Sequence, residues 1–154
     1  MTEIAVMLGG NLPGSAEAIK EALKKFAAAG VEDICTSEVK ISEAVDCVPG
    51  TPDFLDMAFA GKWAGTEVEL LELCQRLERE AGRPAIHSSR ESRILDCDII
   101  FFGNTVLDTP RLTIPHPRAQ MRKFVLEVMV QVAPYMRFAD GTTVKKALQM
   151  LEAK

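Results

Sequence analysis

The chain is poor in the residue types that most often advertise chemistry. Its 154 residues include one Trp, one Tyr, two His and four Cys. The cysteines, Cys35, Cys47, Cys74 and Cys97, are scattered with no CxxC pair. That argues against a zinc site and for reduced thiols in a cytoplasmic protein. With only Trp63, Tyr135 and seven Phe as aromatics, and a net charge of −4, no nucleic-acid partner is expected. No uncharged apolar run approaches the ~20 residues of a membrane span. The N-terminus has no basic n-region, and its apolar stretch is soon interrupted by Gly9, Gly10 and Pro13, so neither membrane nor signal peptide is expected. No repeat and no linker-like stretch stands out. A single domain over 1–154 is expected, as a monomer.

Arginine is absent from residues 1–75, and all nine arginines lie between Arg76 and Arg137. The first 75 residues carry five basic and thirteen acidic side chains; the remainder carry thirteen basic and nine acidic. The overall charge therefore conceals a concentration of guanidinium groups in one region.

The periodicity predicts a strand over Glu3–Leu8 and a turn over GGNLPG. A helix follows from a Ser15 cap to about Ala29, with Ile19, Ala22, Leu23 and Phe26 on one face. Val31–Ser42 reads as β-like, Glu43–Pro52 as a loop and Asp53–Gly61 as a strand. Thr66 and Glu69 form a capping box for a helix to about Ala81, with Leu70, Leu71, Cys74 and Leu77 inward and Gly82 as the stop. A polar loop over 83–92 leads to a strand over Ile94–Phe102. Thr109–Pro117 holds three prolines and is expected to be extended. Helices over Phe124–Ala133 and Thr143–Ala153 close the chain. The order β-α-β-β-α-β implies an α+β, ferredoxin-like (split βαβ) antiparallel sheet with helices packed on it.

The segment Arg93-Ile94-Leu95-Asp96-Cys97-Asp98-Ile99-Ile100-Phe101-Phe102 is the most informative. Alternation puts Ile94, Asp96, Asp98, Ile100 and Phe102 on one face. Two carboxylates about 6–7 Å apart along the chain invite a hard cation, and Mg²⁺ is the natural one, completed by water and phosphate oxygens. A bare DxD more often meets solvent at a sheet end. Here Arg83 and Arg93 flank it, and Arg111, Arg118 and Arg122 follow, as phosphate chemistry requires. Arg76 and Arg79 are read as helix-surface charges. The proline-rich Leu112–Arg118 segment fixes His116 near these arginines, where it can donate a hydrogen bond to phosphate. His87 is assigned no role. In Pro52–Ala58, Phe54 and Asp56 share a face suited to stacking on, and hydrogen-bonding, a flat heterocycle. The cysteines and the seven methionines read as core filler.

Several of these segments together resemble one family. They are Gly9-Gly10-Asn11-Leu12, Pro52-Asp53-Phe54-Leu55, Gln75-Arg76-Leu77-Glu78, Gly82-Arg83, Arg93 to Ile99, and Leu112-Thr113-Ile114-Pro115-His116 with Arg122 and Phe124. In order and at compatible spacing they look like 6-hydroxymethyl-7,8-dihydropterin pyrophosphokinase, over nearly the whole chain. The resemblance implies a ferredoxin-like fold and transfer of pyrophosphate from ATP, the co-substrate, to the pterin hydroxymethyl group, with release of AMP, in folate biosynthesis. It implies two Mg²⁺ ions on Asp96 and Asp98. Arg83 and Arg93 would stabilise charge on the phosphates during transfer; no strong protein base is evident, and if one acts, a carboxylate such as Asp98 or a Mg-bound water is the candidate. Gln75, Glu78, Ile99, Arg111, Thr113, His116 and Arg122 would line the nucleotide site, and Phe54, Asp56 and Phe124 would bind the pterin.

The sequence also departs from that pattern. Asp56 stands where the family commonly has Asn; a carboxylate only accepts hydrogen bonds, whereas an amide also donates. Ala85 occupies the place of a family arginine, Pro117 follows the histidine where an aromatic is frequent, and Glu43-Ala44-Val45-Asp46 matches the pterin loop poorly. Two further readings compete. One is a diverged homologue that binds Mg-nucleotide or a pterin-like ligand with weak or no turnover. The other is a ferredoxin-like regulatory module.

Overall fold

The computed structural model describes residues 1–42, 53–82 and 93–154. The expected loops at 43–52 and 83–92, with Cys47, Arg83, Ala85 and His87, lie outside the described residues. Residues 4–10 of the first strand, β1 (Thr2–Gly10), are all buried, as their nearly unbroken apolar sequence requires of a strand covered on both faces. β1 is antiparallel to β4 (Phe54–Trp63) on one side and to β5 (Asp96–Phe102) on the other. β2 (Glu32–Thr36) and the short β3 (Lys40–Ser42) both pair with the far side of β4, giving the order β2-β4-β1-β5.

Two hydrophobic layers sandwich this sheet. Ile4, Val6 and Leu8 of β1 pack with Phe59 against α1 (Ser15–Ala28) and α2 (Glu67–Glu80), through Ile19, Phe26, Leu70 and Leu77. Ala5 and Met7 face α3 (Lys123–Val132) and α4 (Val144–Glu152), through Val125, Leu126, Met129 and Ala147. Phe26–Phe59 and Phe101–Phe138 anchor the two layers, with ring centroids 4.8 and 5.0 Å apart. A small hairpin, β6 (Leu107–Asp108) with β7 (Thr113–Ile114), leaves the end of β5. The result is a mixed α/β fold: an antiparallel sheet with, among the described residues, four α-helices.

The Thr66–Glu69 capping box forms as expected. Ser15 does not cap α1. It is already helical and buried, its Oγ accepts the Leu12 N–H at 3.0 Å, and Gly14 (φ +94°) takes the cap position. Val31–Ser42 is not one strand. Ser37 interrupts it by pairing with Ala58 through both its backbone N–H and its Oγ, leaving Val39 and Ile41 exposed. In α2 it is Leu73, not Leu71, that completes the buried face. Thr109–Leu112 turns tightly between β6 and β7 rather than running extended, with Thr109 Oγ1 accepting from Leu112 N–H. Cys35, Met1, Met121 and Met150 are exposed and fill no core.

The largest correction concerns β5. Its alternation holds from Leu95 to Ile99 and then breaks. Ala5 pairs with Phe101 but Val6 pairs with Ile99, so Ile100 is one residue more than the ladder needs. Ile100 and Phe101 consequently both join the α3 side, and Phe102 turns to the α1–α2 side, away from the face that simple alternation assigns it.

Candidate active site

The register places the acidic residues in adjacent rows. Gly9 lies between Asp56 on β4 and Asp96 on β5; Met7 lies between Ala58 and Asp98. Gly9 is required here. A Cβ on it would stand 2.7 Å from Asp56 Oδ1, so the carboxylate of Asp56 occupies the space that a side chain would fill. Asp56 is only 8% exposed. On its other flank it pairs in register with Lys40, whose ammonium turns instead to Glu127 at 3.1 Å.

Asp96 and Asp98 share a hydrogen bond, and the Asp98 carboxyl is pushed up to about 8. Burial is the main cause, followed by the charges of Asp96 and Glu78 and the hydrogen bond with Asp96; Arg93 acts in the opposite direction. A proton here does the neutralising that a divalent cation would otherwise do. Hard carboxylate oxygens, in a pair rather than a cage, suit Mg²⁺, which keeps positions for water and phosphate. Among the described residues no cluster of three or more His, Cys, Asp or Glu is arranged for a metal.

The chain just before β5 is tied to the chain just after β1. The Asn11 N–H donates to the Arg93 carbonyl at 2.9 Å, and Asn11 Oδ1 accepts the Arg93 N–H at 2.8 Å. A Cβ on Gly10 would collide with the Ile94 carbonyl, so the two segments meet backbone to backbone. The Arg93 side chain lies 3.8 Å (Nε to Oδ2) from Asp96, with its guanidinium carbon 5.7 Å from the centre of the Phe54 ring. Arg93, Asp96, Asp98 and Phe54 thus form one group.

Glu78 approaches from α2. Its Oε2 accepts the backbone N–H of Cys97, the residue between the two aspartates, at 2.8 Å. Gln75 lies one turn earlier and is half-buried. The Ile99 side chain points into the α1–α2 core, so only its backbone can meet a ligand. Burial pushes the Cys74 and Cys97 thiols up, which keeps both protonated and inert.

His116 enters from the loop after β7. Its N–H donates to the Ile100 carbonyl at 3.0 Å, on the extra residue of β5, and the Arg118 N–H donates to its Nδ1 at 3.3 Å. Burial, then the charges of Arg122 and Arg118, hold its pKa below the usual value, against a smaller pull from Asp96. The ring is therefore neutral at pH 7, and with Nδ1 accepting, Nε2 carries the proton and can donate. Arg122 is exposed just ahead of α3, and Phe124 is half-buried in its first turn. Thr113 Oγ1 donates to Asp108 at 3.1 Å, and Arg111 sits exposed on the β6–β7 turn. Among the described residues, contacts and electrostatics therefore link Phe54, Glu78, Arg93, Asp96, Asp98, His116 and Arg122, with Asp56 in the adjoining row. Arg111 and Thr113 are carried by the β6–β7 hairpin and Phe124 by the first turn of α3, and Arg83 lies outside the described residues.

Two roles escape a reading by residue type. Asn11 is a structural clamp on Arg93, signalled only by its place directly after two glycines at a strand end. Glu78 grips backbone, which composition cannot show.

Comparison with known proteins bears on this arrangement. Residues 5–134 match the family model described as 7,8-dihydro-6-hydroxymethylpterin-pyrophosphokinase. A 2-amino-4-hydroxy-6-hydroxymethyldihydropteridine pyrophosphokinase of Synechocystis is 33% identical over 149 residues, spanning 96% of this chain and 73% of that protein. The protein of that name from Pseudomonas aeruginosa is 34% identical over 140 residues, 90% and 85% of the respective chains. A folate synthesis bifunctional protein of Arabidopsis thaliana is 32% identical, but this chain spans only 27% of it. In fold, the chain is similar to a Plasmodium falciparum HPPK-DHPS crystal structure with SDX-DHP. The TM-score is 0.74 at 13% identity, over 99% of this chain and 46% of that one.

Proposed function

The chain belongs to the 7,8-dihydro-6-hydroxymethylpterin-pyrophosphokinase family, and on that premise we propose how its residues divide the work. It is a diphosphotransferase of folate biosynthesis: pyrophosphate passes from ATP to the hydroxymethyl group of 6-hydroxymethyl-7,8-dihydropterin, and AMP is released. Membership favours this reading over a regulatory module.

The observation that carries the assignment of roles is the Asp96–Asp98 pair with Arg93 beside it. Asp96 and Asp98 would hold Mg²⁺, as two ions, and Mg²⁺ bound there would neutralise phosphate oxygens as charge develops in transfer. Arg93, with Arg83, stabilises the same oxygens through guanidinium N–H groups. His116 donates from Nε2 to a phosphate oxygen, with Arg122 adjoining. Gln75, Glu78, Arg111, Thr113 and the Ile99 backbone complete the nucleotide side. Phe54 and Phe124 stack on the pterin, and Asp56 accepts from its ring N–H groups. Held in this way, the two substrates would meet at the hydroxyl and the β-phosphorus, and positioning would provide much of the rate. Asp98 is assigned to take the hydroxyl proton.

The sheet itself reads as ferredoxin-like, supported by the all-antiparallel order β2-β4-β1-β5 with helices between β1 and β2 and between β4 and β5. A monomeric, cytoplasmic protein belongs to the same proposal. No helix among the described residues is long and apolar enough to cross a membrane.

The test is AMP release from ATP with Mg²⁺ and hydroxymethyl-dihydropterin. Asp96→Asn and Asp98→Asn should each lower turnover by orders of magnitude while the protein stays folded. A Mg-ATP analogue should raise the melting temperature of the wild type and leave both variants unmoved. Equal shifts in all three, or wild-type protein that binds Mg-ATP and releases no AMP, would overturn the assignment.

A further inference from the structure

We propose that Asn11 is a positioning residue that sets where the Arg93 guanidinium acts. Both backbone polar groups of Arg93 end on this one side chain and its own amide, at 2.8 and 2.9 Å. Asn11 is 3% exposed and lies beside the Gly10–Ile94 contact, where the two backbones meet too closely to admit a Cβ between them. Ser15, also buried, fixes the next residue by accepting the Leu12 N–H at 3.0 Å. The Arg93 backbone is thereby held to the rigid end of the central strand.

Fixing that backbone matters because of what the side chain has to do. An arginine has four side-chain torsions, and its ordering is entropically expensive. With its Cα held, the Arg93 head needs only those torsions to reach its place between the Asp96 carboxylate and the Phe54 ring. A Cα that drifts moves the guanidinium off the phosphate path even though every reacting group remains. Asn suits the task because one residue supplies a backbone donor and a side-chain acceptor to the same partner. Alanine keeps the donor and removes the acceptor, and Asp keeps both.

The inference rests on the reading that Arg93 stabilises the phosphates, and a double-mutant cycle on AMP release separates the two claims. Asn11→Ala should lower kcat about tenfold or more, as a misplacement near 1 Å does, with a much smaller change in KM for ATP. Asn11→Asp should recover most of that loss. In the Arg93→Ala background, Asn11→Ala should cost less than about twofold further, the signature of two residues acting as a unit. If Asn11→Ala does not fold, Asn11→Ser, whose hydroxyl is too short to reach the Arg93 N–H in place, takes its position in the cycle. The same fold loss in both backgrounds, no loss in kcat, or Asn11→Asp as poor as Asn11→Ala would overturn the proposal. Arg93→Ala with unchanged turnover would overturn the parent reading and this one with it, a result seen without touching Asn11.

Discussion

Glu78 accepts a 2.8 Å hydrogen bond from the backbone N–H of Cys97, the one residue that separates Asp96 from Asp98. Among the described residues β5 is the outer strand of the sheet, and no described strand pairs with this edge of its backbone. A side chain from α2 serves instead. Glu78 therefore acts on both carboxylates through the strand that carries them, and its own charge helps hold the Asp98 proton.

The contrast between two substitutions at Glu78 follows. Glu78→Gln keeps an oxygen for the Cys97 N–H and should leave the melting temperature near that of the wild type. Glu78→Ala releases the strand edge and should cost about 1 kcal/mol of stability, with a larger fall in turnover than the Gln variant. Thermal melts and AMP-release rates on both proteins check this; identical rates would show that the backbone bond is not what matters.

The raised Asp98 carboxyl makes metal-free stability depend on pH. In the unfolded chain Asp98 loses its proton near 3.9, but in the fold it keeps it up to about 8. Between these values the native state binds more protons, so stability falls as pH rises. With chelator present, the melting temperature should decline from pH 5 to pH 9, and Asp98→Asn should flatten that decline. Saturating Mg²⁺ should do the same by replacing the proton. A slope unaltered by the substitution would contradict the assigned cause.

His116 has the opposite sign. Its folded pKa lies below the ordinary value, so as pH falls through about 6.5 the unfolded chain takes up a proton that the native ring refuses, and stability is lost. His116→Gln should shrink the drop in melting temperature between pH 7.5 and pH 5.5. At pH 7.5 His116→Ala, which removes the Nε2 donor, should raise KM for ATP about tenfold, the worth of one hydrogen bond to a charged group.

Gly9 and Asp56 should respond together. In Gly9→Ala the new methyl meets Asp56 Oδ1 at 2.7 Å and the Leu55 carbonyl at 3.0 Å, at a cost of about 1–3 kcal/mol and with weaker pterin binding as Asp56 is displaced. Asp56→Asn adds a donor where the carboxylate only accepts, and calorimetry with the pterin should show affinity at least equal to that of the wild type. A loss on Asp56→Asn would mean that this chain uses the charge itself.

The sequence displays well whatever depends on periodicity. The apolar run of β1 over residues 4–8, the Thr66–Glu69 box and the inward face of α1 all stand where their spacing places them. The Asp96–Asp98 pair was legible for the same reason, because residues two apart on a strand share a face. What was hidden depends on partners distant in sequence. Ser15 bonds to the turn before it, Ser37 to β4, and Asn11 to a residue 82 positions away. The orientation of Phe102 escapes its strand's alternation because a bulge is set by the register between two strands, which neither strand's pattern contains.

That bulge has one more implication, for chain length. Deleting Ile100 would leave Ile4, Ala5 and Val6 each opposite its present partner and merely complete a regular ladder. Yet it would remove the carbonyl on which His116 hangs. β5 is thus one residue longer than the ladder with its neighbour can use, and the backbone of the surplus residue serves the loop: a shortened strand could still pair regularly with β1 while setting the histidine adrift.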